Sequence, residues 1–231
     1  MEKRTFTFNN KTFTASLRDE ADSSVFAEIF KLHEYRRAEE KIIAATHPII
    51  DVGAHAGFFS LYAHALNPTV PIFALEPEPH NLEALETTIE QNKLTNVATI
   101  PKALHDQTGR ANLMITNDNH NHYIERPFKG DGQKIRVATI SLKELCAAYA
   151  ITKIALLKMD IEGGEYVIFN SWDEADFGMI ETIILEYHNT KSKTYKILET
   201  QLREHGFSVE IFPSKFEKTM GFLFAQNKRK L

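Results

Sequence analysis

Two acids and two glycines stand at the ends of what read as consecutive buried strands. In "IIDVGAHAGFF" Asp51 precedes Gly53 and Gly57, and a second acid, Glu76, closes "IFALEP". Gly53 permits a tight turn with positive φ, and Gly57 lets the following helix start close to the strand. His55 fills the middle position of a G-x-G-x-x-G pattern, where a dinucleotide's pyrophosphate requires glycine, and no G-x-x-x-x-G-K-[ST] loop is present. A carboxylate beside the turn suits a cationic or hydrogen-bond-donating ligand, and an acid at Glu76 suits the two hydroxyls of an adenosine ribose. S-adenosylmethionine (SAM) carries an ammonium, a sulfonium and a ribose but no phosphate, so it fits this pattern better than NAD. The expected cofactor site is Asp51, Gly53, His55, Gly57, Phe58, Glu76 and Pro77, with Ala103 and Leu104 from the segment after the third strand, and Asp160.

Methyl transfer from a sulfonium is an in-line displacement in which positioning supplies much of the acceleration, and an alcohol acceptor also loses a proton to a nearby base. Candidates cluster at two later strand ends: Asp160, Glu162 and Glu165 in "MDIEGGE", then Glu186 and His188 in "LEYH". His188 titrates ordinarily near neutrality and is the candidate base. Asp160 and Glu162 complete the catalytic set, whereas Glu165, at the start of a helical pattern, reads as a capping residue. These carboxylates and imidazoles lack a compact metal-binding spacing such as H-E-x-x-H, and no metal is expected.

Elements that place such residues follow from the pattern. Apolar runs at 49–52, 72–77, 96–101, 154–160 and 180–188 alternate with amphipathic helices such as "PHNLEALETTIEQNK", which predicts a mostly parallel sheet covered on both faces. "GFSVEIF" and "MGFLFAQ" follow without an intervening helix and predict an antiparallel pair at one edge. "RTFTFNNKTFTASL" predicts a hairpin about Asn9-Asn10, and Asp22, Ser23 and Ser24 predict the start of one or two helices that form an N-terminal cap outside the sheet. "RANLMI" and "KIRVATI" predict a hairpin that projects the polar segment 116–133; there His120, His122, Tyr123 and Arg126 are expected to act as a lid or acceptor-recognition loop.

The 231 residues suit one large domain, and the net charge of −4 argues against sequence-independent nucleic-acid binding. A single cysteine, Cys146, excludes a disulfide framework and a cysteine-based zinc cluster, and is expected to be buried and inert. No apolar run reaches membrane-spanning length and the start lacks a signal-peptide core, so the expected location is cytoplasmic, with no membrane partner.

"IIDVGAHAGFFS", "FALEPEPHNLEAL", "NVATIPKALHDQTGRANL", "LLKMDIEGGEYVIF" and "IILEYH" resemble, in order, the motifs of FkbM-type SAM-dependent methyltransferases over about residues 48–190. The chain departs from that family in carrying His55 where Asn is common and in its loop histidines. The resemblance implies the class I SAM methyltransferase fold, an α/β Rossmann-like, mostly parallel seven-stranded sheet with an antiparallel edge strand. It also implies O-methylation of a small polar acceptor such as a sugar or natural product. On this reading residues 1–46 form the hairpin and helical cap and 47–231 the SAM-binding domain. An RNA methyltransferase, a catalytically silent SAM- or partner-binding module and a nicotinamide oxidoreductase are the alternatives.

Overall fold

Asn9 and Asn10 both adopt left-handed backbone (φ 48° and 59°), the geometry of a two-residue type I′ turn. They join β1 (Glu2–Phe8) to β2 (Lys11–Leu17) with Phe6 opposite Phe13. The computed structural model describes residues 1–115, 123–124, 133–190, 193–214 and 219–230. After β2 come α1 (Glu20–Phe30), a 3-10 turn (Glu34–Ala38) and α2 (Glu39–Ile43). Asp19, not the expected 22–24 run, caps α1 by accepting from the Asp22 amide; Asp22 lies inside the helix because Arg18 takes its carboxylate.

The alternating part begins with β3 (Ile49–Val52), α3 (Phe58–Leu66), β4 (Ile72–Leu75), α4 (Pro79–Asn92) and β5 (Val97–Ile100). Four more strands follow: β6 (Ala103–Leu104), β7 (Gly109–Ile115), β8 (Tyr123–Ile124) and β9 (Gln133–Ile140). Then come α5 (Leu142–Ala148), β10 (Leu156–Met159), α6 (Glu165–Ser171), α7 (Glu174–Gly178), β11 (Thr182–His188), α8 (Tyr195–Glu204), β12 (Phe207–Pro213) and β13 (Met220–Asn227).

The main sheet has seven strands in the order β12-β13-β11-β10-β3-β4-β5, parallel from β11 to β5, with β13 antiparallel to both neighbours at the far side. The expected sheet and its antiparallel edge pair are thus present. Unanticipated is a second, four-stranded sheet, β6-β9-β7-β8, in which β7 and β9 form the expected hairpin.

Strand side chains alternate between two cores, as a period of two requires. Ile50, Leu157, Ile183 and Leu185 join α5, α6, α7 and α8 on one face. Ile49, Leu156 and Ile184 join α1, α2 and α3 on the other. Phe26, Ile29, Tyr35 and Ile42 lie in the same buried cluster as Phe58, Phe59 and Tyr62, so side chains before and after residue 46 share one core. On the second face Asp51 and Lys158 break the apolar pattern of the two central strands, and they sit side by side in register. That register lies where strand order reverses, since β4 and β5 lie on one side of β3 and β10 on the other. Ligands of open parallel sheets bind at such a point, beyond the carboxyl ends of the strands.

Candidate active site

A cavity of about 280 Å³ opens at this reversal. Gly53, His55, Glu76 and Pro77 line it, with Ala103 and Leu104 of β6 and Asp160 beyond β10. Val25, Glu28, Ile29 and Tyr35 of the N-terminal segment also contribute wall, which sequence reasoning did not foresee. Gly53 is forced by its neighbour: at φ +73° a Cβ there would lie 1.9 Å from the Asp160 carbonyl oxygen. Gly57 (φ +82°) is required by α4 rather than by its own strand, because a Cβ would meet Leu85 Cδ1 at 2.5 Å.

Asp51, Gly57 and Phe58 do not line the cavity. The Phe58 ring packs edge-on against Phe26 in the core. Asp51 is fully buried; its Oδ2 accepts from Ser60 Oγ at 2.8 Å and its Oδ1 lies 3.2 Å from Lys158 Nζ. The same ammonium donates to the Gly53 carbonyl at 2.8 Å and stands 4.0 Å from Asp160. Burial pushes the Lys158 ammonium towards neutrality, but the charges of Asp51 and Asp160 outweigh it and raise its pKa, so Lys158 is charged. The charge read from sequence as awaiting a ligand is therefore balanced inside the protein. Lysine is almost never fully buried unless paired, so its place within "IALLKMD" was the signal that could have revealed this partner.

The Glu76 carboxylate faces the cavity edge, accepting from the His55 amide at 2.8 Å and the Glu78 amide at 2.9 Å. Burial raises its pKa to about 7 against the pull of these two amides. A carboxylate offers about four lone-pair sites, so two N–H donors leave room for ligand hydroxyls.

Asp160 lines the cavity, whereas Glu162, Glu186 and His188 do not. His188 Nε2 lies 3.3 Å from Glu162 Oε2 and 3.9 Å from Glu186 Oε1. Glu162 is held in left-handed backbone (φ 53°) with Gly163 following at φ 86°, and a non-glycine residue persists there only when its surroundings fix it. Burial, then the charges of Asp160 and Glu162, push the Glu186 carboxyl well above its ordinary range. The Tyr35 phenol is likewise pushed up by burial and by Asp160 and Glu186, and stays neutral.

Glu165 is fully buried at the start of α6 and accepts from the Gly163 amide at 3.2 Å; burial raises its carboxyl from 4.5 to about 7. A carboxyl raised on folding gives the native state more bound protons between those two values, so its contribution is complete below about 4.5 and is lost as pH rises to about 7. Glu165→Gln should therefore flatten the decline of the urea midpoint between pH 5 and 7.5; an unchanged slope would show that Glu165 does not titrate in that window.

A family model for the FkbM methyltransferase domain matches residues 51–209. The chain belongs to the FkbM methyltransferase family. Its relatives include the 31-O-demethyl-FK506 methyltransferase FkbM of Streptomyces tacrolimicus, 25% identical over 70% of this chain and 72% of the relative. Methyltransferase sdnD of Sordaria araneosa is 24% identical over 80% and 82%. Among solved structures, Aeropyrum pernix fibrillarin with natively bound SAM superposes with a TM-score of 0.51 at 12% identity, covering 96% of this chain and 82% of that one, a likeness of fold. This FkbM-family protein is a SAM-dependent methyltransferase of class I fold, with SAM as its cofactor.

Among the described residues, no group of three or more His, Cys, Asp and Glu side chains could hold a metal ion, and no helix is long and apolar enough to cross a membrane. Cys146 is buried, and burial raises its thiol to about 11, the inert state expected. His120, His122 and Arg126 of the expected lid lie outside the described residues; Tyr123 begins β8.

Proposed function

We propose that this FkbM-family enzyme methylates an oxygen of a small polar acceptor. The observation that carries this reading is the His188–Glu162 contact of 3.3 Å beside Asp160, on the sheet face that carries Lys158. An imidazole backed by a carboxylate can take a hydroxyl proton, and the charge of Glu162 at 3.3 Å stabilises the imidazolium that results. The Streptomyces relative is a 31-O-demethyl-FK506 methyltransferase, which supports oxygen as the nucleophile. The carboxylates of Glu28, Asp160 and Glu162 around this end oppose a phosphate backbone, which favours a small acceptor over RNA.

The residues present suit SAM. Glu76 keeps acceptor capacity for ribose hydroxyls, Ala103 and Leu104 offer apolar wall for the adenine, and Gly53 leaves backbone exposed beside Asp160. When bound, SAM supplies an electrophilic methyl group on a sulfonium. Asp160 and the Gly53 turn orient the donor end, Lys158 keeps that turn fixed through the Gly53 carbonyl, and His188 receives the acceptor proton. Glu76→Ala should weaken SAM binding by about 1–3 kcal/mol, the cost of leaving a hydroxyl pair unmet, measured by titration calorimetry with NAD as a control. To test the reaction itself, purified enzyme, SAM and a panel of polyhydroxylated metabolites would be followed by mass spectrometry. Methyl groups located on oxygen support the proposal; methylation confined to nitrogen or to RNA would overturn it.

A further inference from the structure

Arg18, at the end of the N-terminal hairpin, is the hub of a network that no motif reading included. Its guanidinium grips Asp22 through Nε to Oδ2 (2.8 Å) and Nη2 to Oδ1 (2.7 Å). Its remaining donors cross to the cofactor half of the molecule. Nη1 donates to the His80 carbonyl at 2.8 Å, and Nη2 donates to Asn81 Oδ1 at 2.9 Å and lies 3.3 Å from His55 Nε2. Asp22 Oδ1 stands 3.5 Å from the same imidazole nitrogen. Burial alone would raise the Asp22 carboxyl, but the hydrogen bonds from Arg18 hold it below its ordinary range, and the pair is ionic.

Two of the groups this fork reaches are cavity residues. His55 and Asn81 both line the cavity. His55 sits in left-handed backbone (φ 51°), a conformation that costs a branched-chain or ring-bearing residue energy and survives where surroundings over-determine it. The ring is fixed by Arg18 and Asp22; the amide is fixed by Glu76 Oε2 at 2.8 Å. Asn81 in turn donates its amide to Glu78 Oε2 at 2.7 Å, and Glu78 donates its own amide to Glu76 Oε1. Both oxygens of Glu76 are thus tied, through His55 on one side and the Glu78–Asn81 turn on the other, to one guanidinium from the hairpin.

We infer that Arg18, with Asp22, is a positioning residue for the ribose end of the cofactor site, acting through His55 and Asn81 on the orientation of Glu76. This rests on the seating of the ribose at Glu76 proposed above. The N-terminal segment is on this view part of the cofactor site and not only a cover for it. A planar fork is essential, because one group must serve Asp22, a carbonyl, an amide oxygen and an imidazole together, and an ammonium cannot.

The test uses the full chain and two probes, 5′-methylthioadenosine and its 2′-deoxy analogue, titrated by calorimetry against wild type, Arg18→Lys, Arg18→Met, Asp22→Asn and Glu76→Ala. Ligand-free thermal unfolding identifies the folded variants. In wild type the deoxy probe should bind more weakly. In the folded Arg18 and Asp22 variants, affinity for the ribose probe should fall on the order of tenfold, the scale of a lost charge-assisted hydrogen bond, and discrimination between the two probes should shrink towards none. Arg18→Lys, which keeps charge and most volume, serves if Arg18→Met does not fold. Lower melting temperature with intact discrimination would show a purely structural role and overturn the inference. Unchanged binding in Glu76→Ala would instead overturn the seating on which it rests.

Discussion

Lys158→Met should lower unfolding free energy by about 3–5 kcal/mol, the cost of removing one partner from a buried ion pair. The lysine's side chain is 5% exposed and Asp51's is not exposed at all, so the Asp51 carboxylate loses its charged partner in a site shielded from bulk water. The loss also frees the Gly53 carbonyl, which accepts from Nζ at 2.8 Å. SAM affinity should therefore drop in whatever fraction remains folded. Asp51→Asn in the Lys158→Met background removes the orphaned charge, and most of the stability should return, because exchanging both members of a buried pair for neutral groups is often close to neutral. Urea denaturation of the two single variants and the double variant gives the coupling directly. If Lys158→Met were as stable as wild type, the pair would not be the electrostatic floor of the site.

His188→Gln carries the largest expected effect on the reaction. Loss of a general base costs about 10²–10⁴-fold in turnover. Because His188 does not line the cavity proposed for the cofactor, SAM affinity should stay within about twofold. Glu162→Gln should cost less, since the imidazole remains and only its 3.3 Å carboxylate neighbour is neutralised. Single-turnover methyl transfer to an acceptor that the wild type methylates, with calorimetry of SAM on each variant, separates these effects. Turnover unchanged in His188→Gln would remove the base assignment.

The parallel sheet was legible because its strands are short, apolar and separated by helices with clear faces; "IIDV" became a strand buried along its whole length. The reversal point was legible from the glycine turn and Glu76. Three features were hidden for physical reasons. Lys158 is a lone charge in an apolar run, and its role depends on a cross-strand partner more than a hundred residues away. Asp22 read as an ordinary helix-start residue and Arg18 drew no reading, since nothing local announces that their fork ends on His55 and Asn81. Gly57 carries the right conformation for a turn, yet the clash that demands it comes from Leu85 of another helix. Local pattern reports which residues are unusual; only tertiary contacts report what they face. Parity could have gone further. Lys158, Asp160, Glu186 and His188 fall on alternate positions of neighbouring strands, which places them on one side of the sheet, and that side is the one the N-terminal segment covers.

The position of β13 bears on how the protein is made. It follows β12 in sequence, yet it lies between β11 and β12 and pairs with both along seven positions each. While a ribosome is still adding residues before Met220, β11 has one edge without a partner and β12 has no place in the sheet. Non-local pairing of this kind comes late, and an open apolar edge invites pairing with another chain. The nascent polypeptide thus exposes the flank of the strand that bears Glu186 and His188 until β13 emerges. Synthesis halted just short of β13 should yield aggregates rather than a folded enzyme.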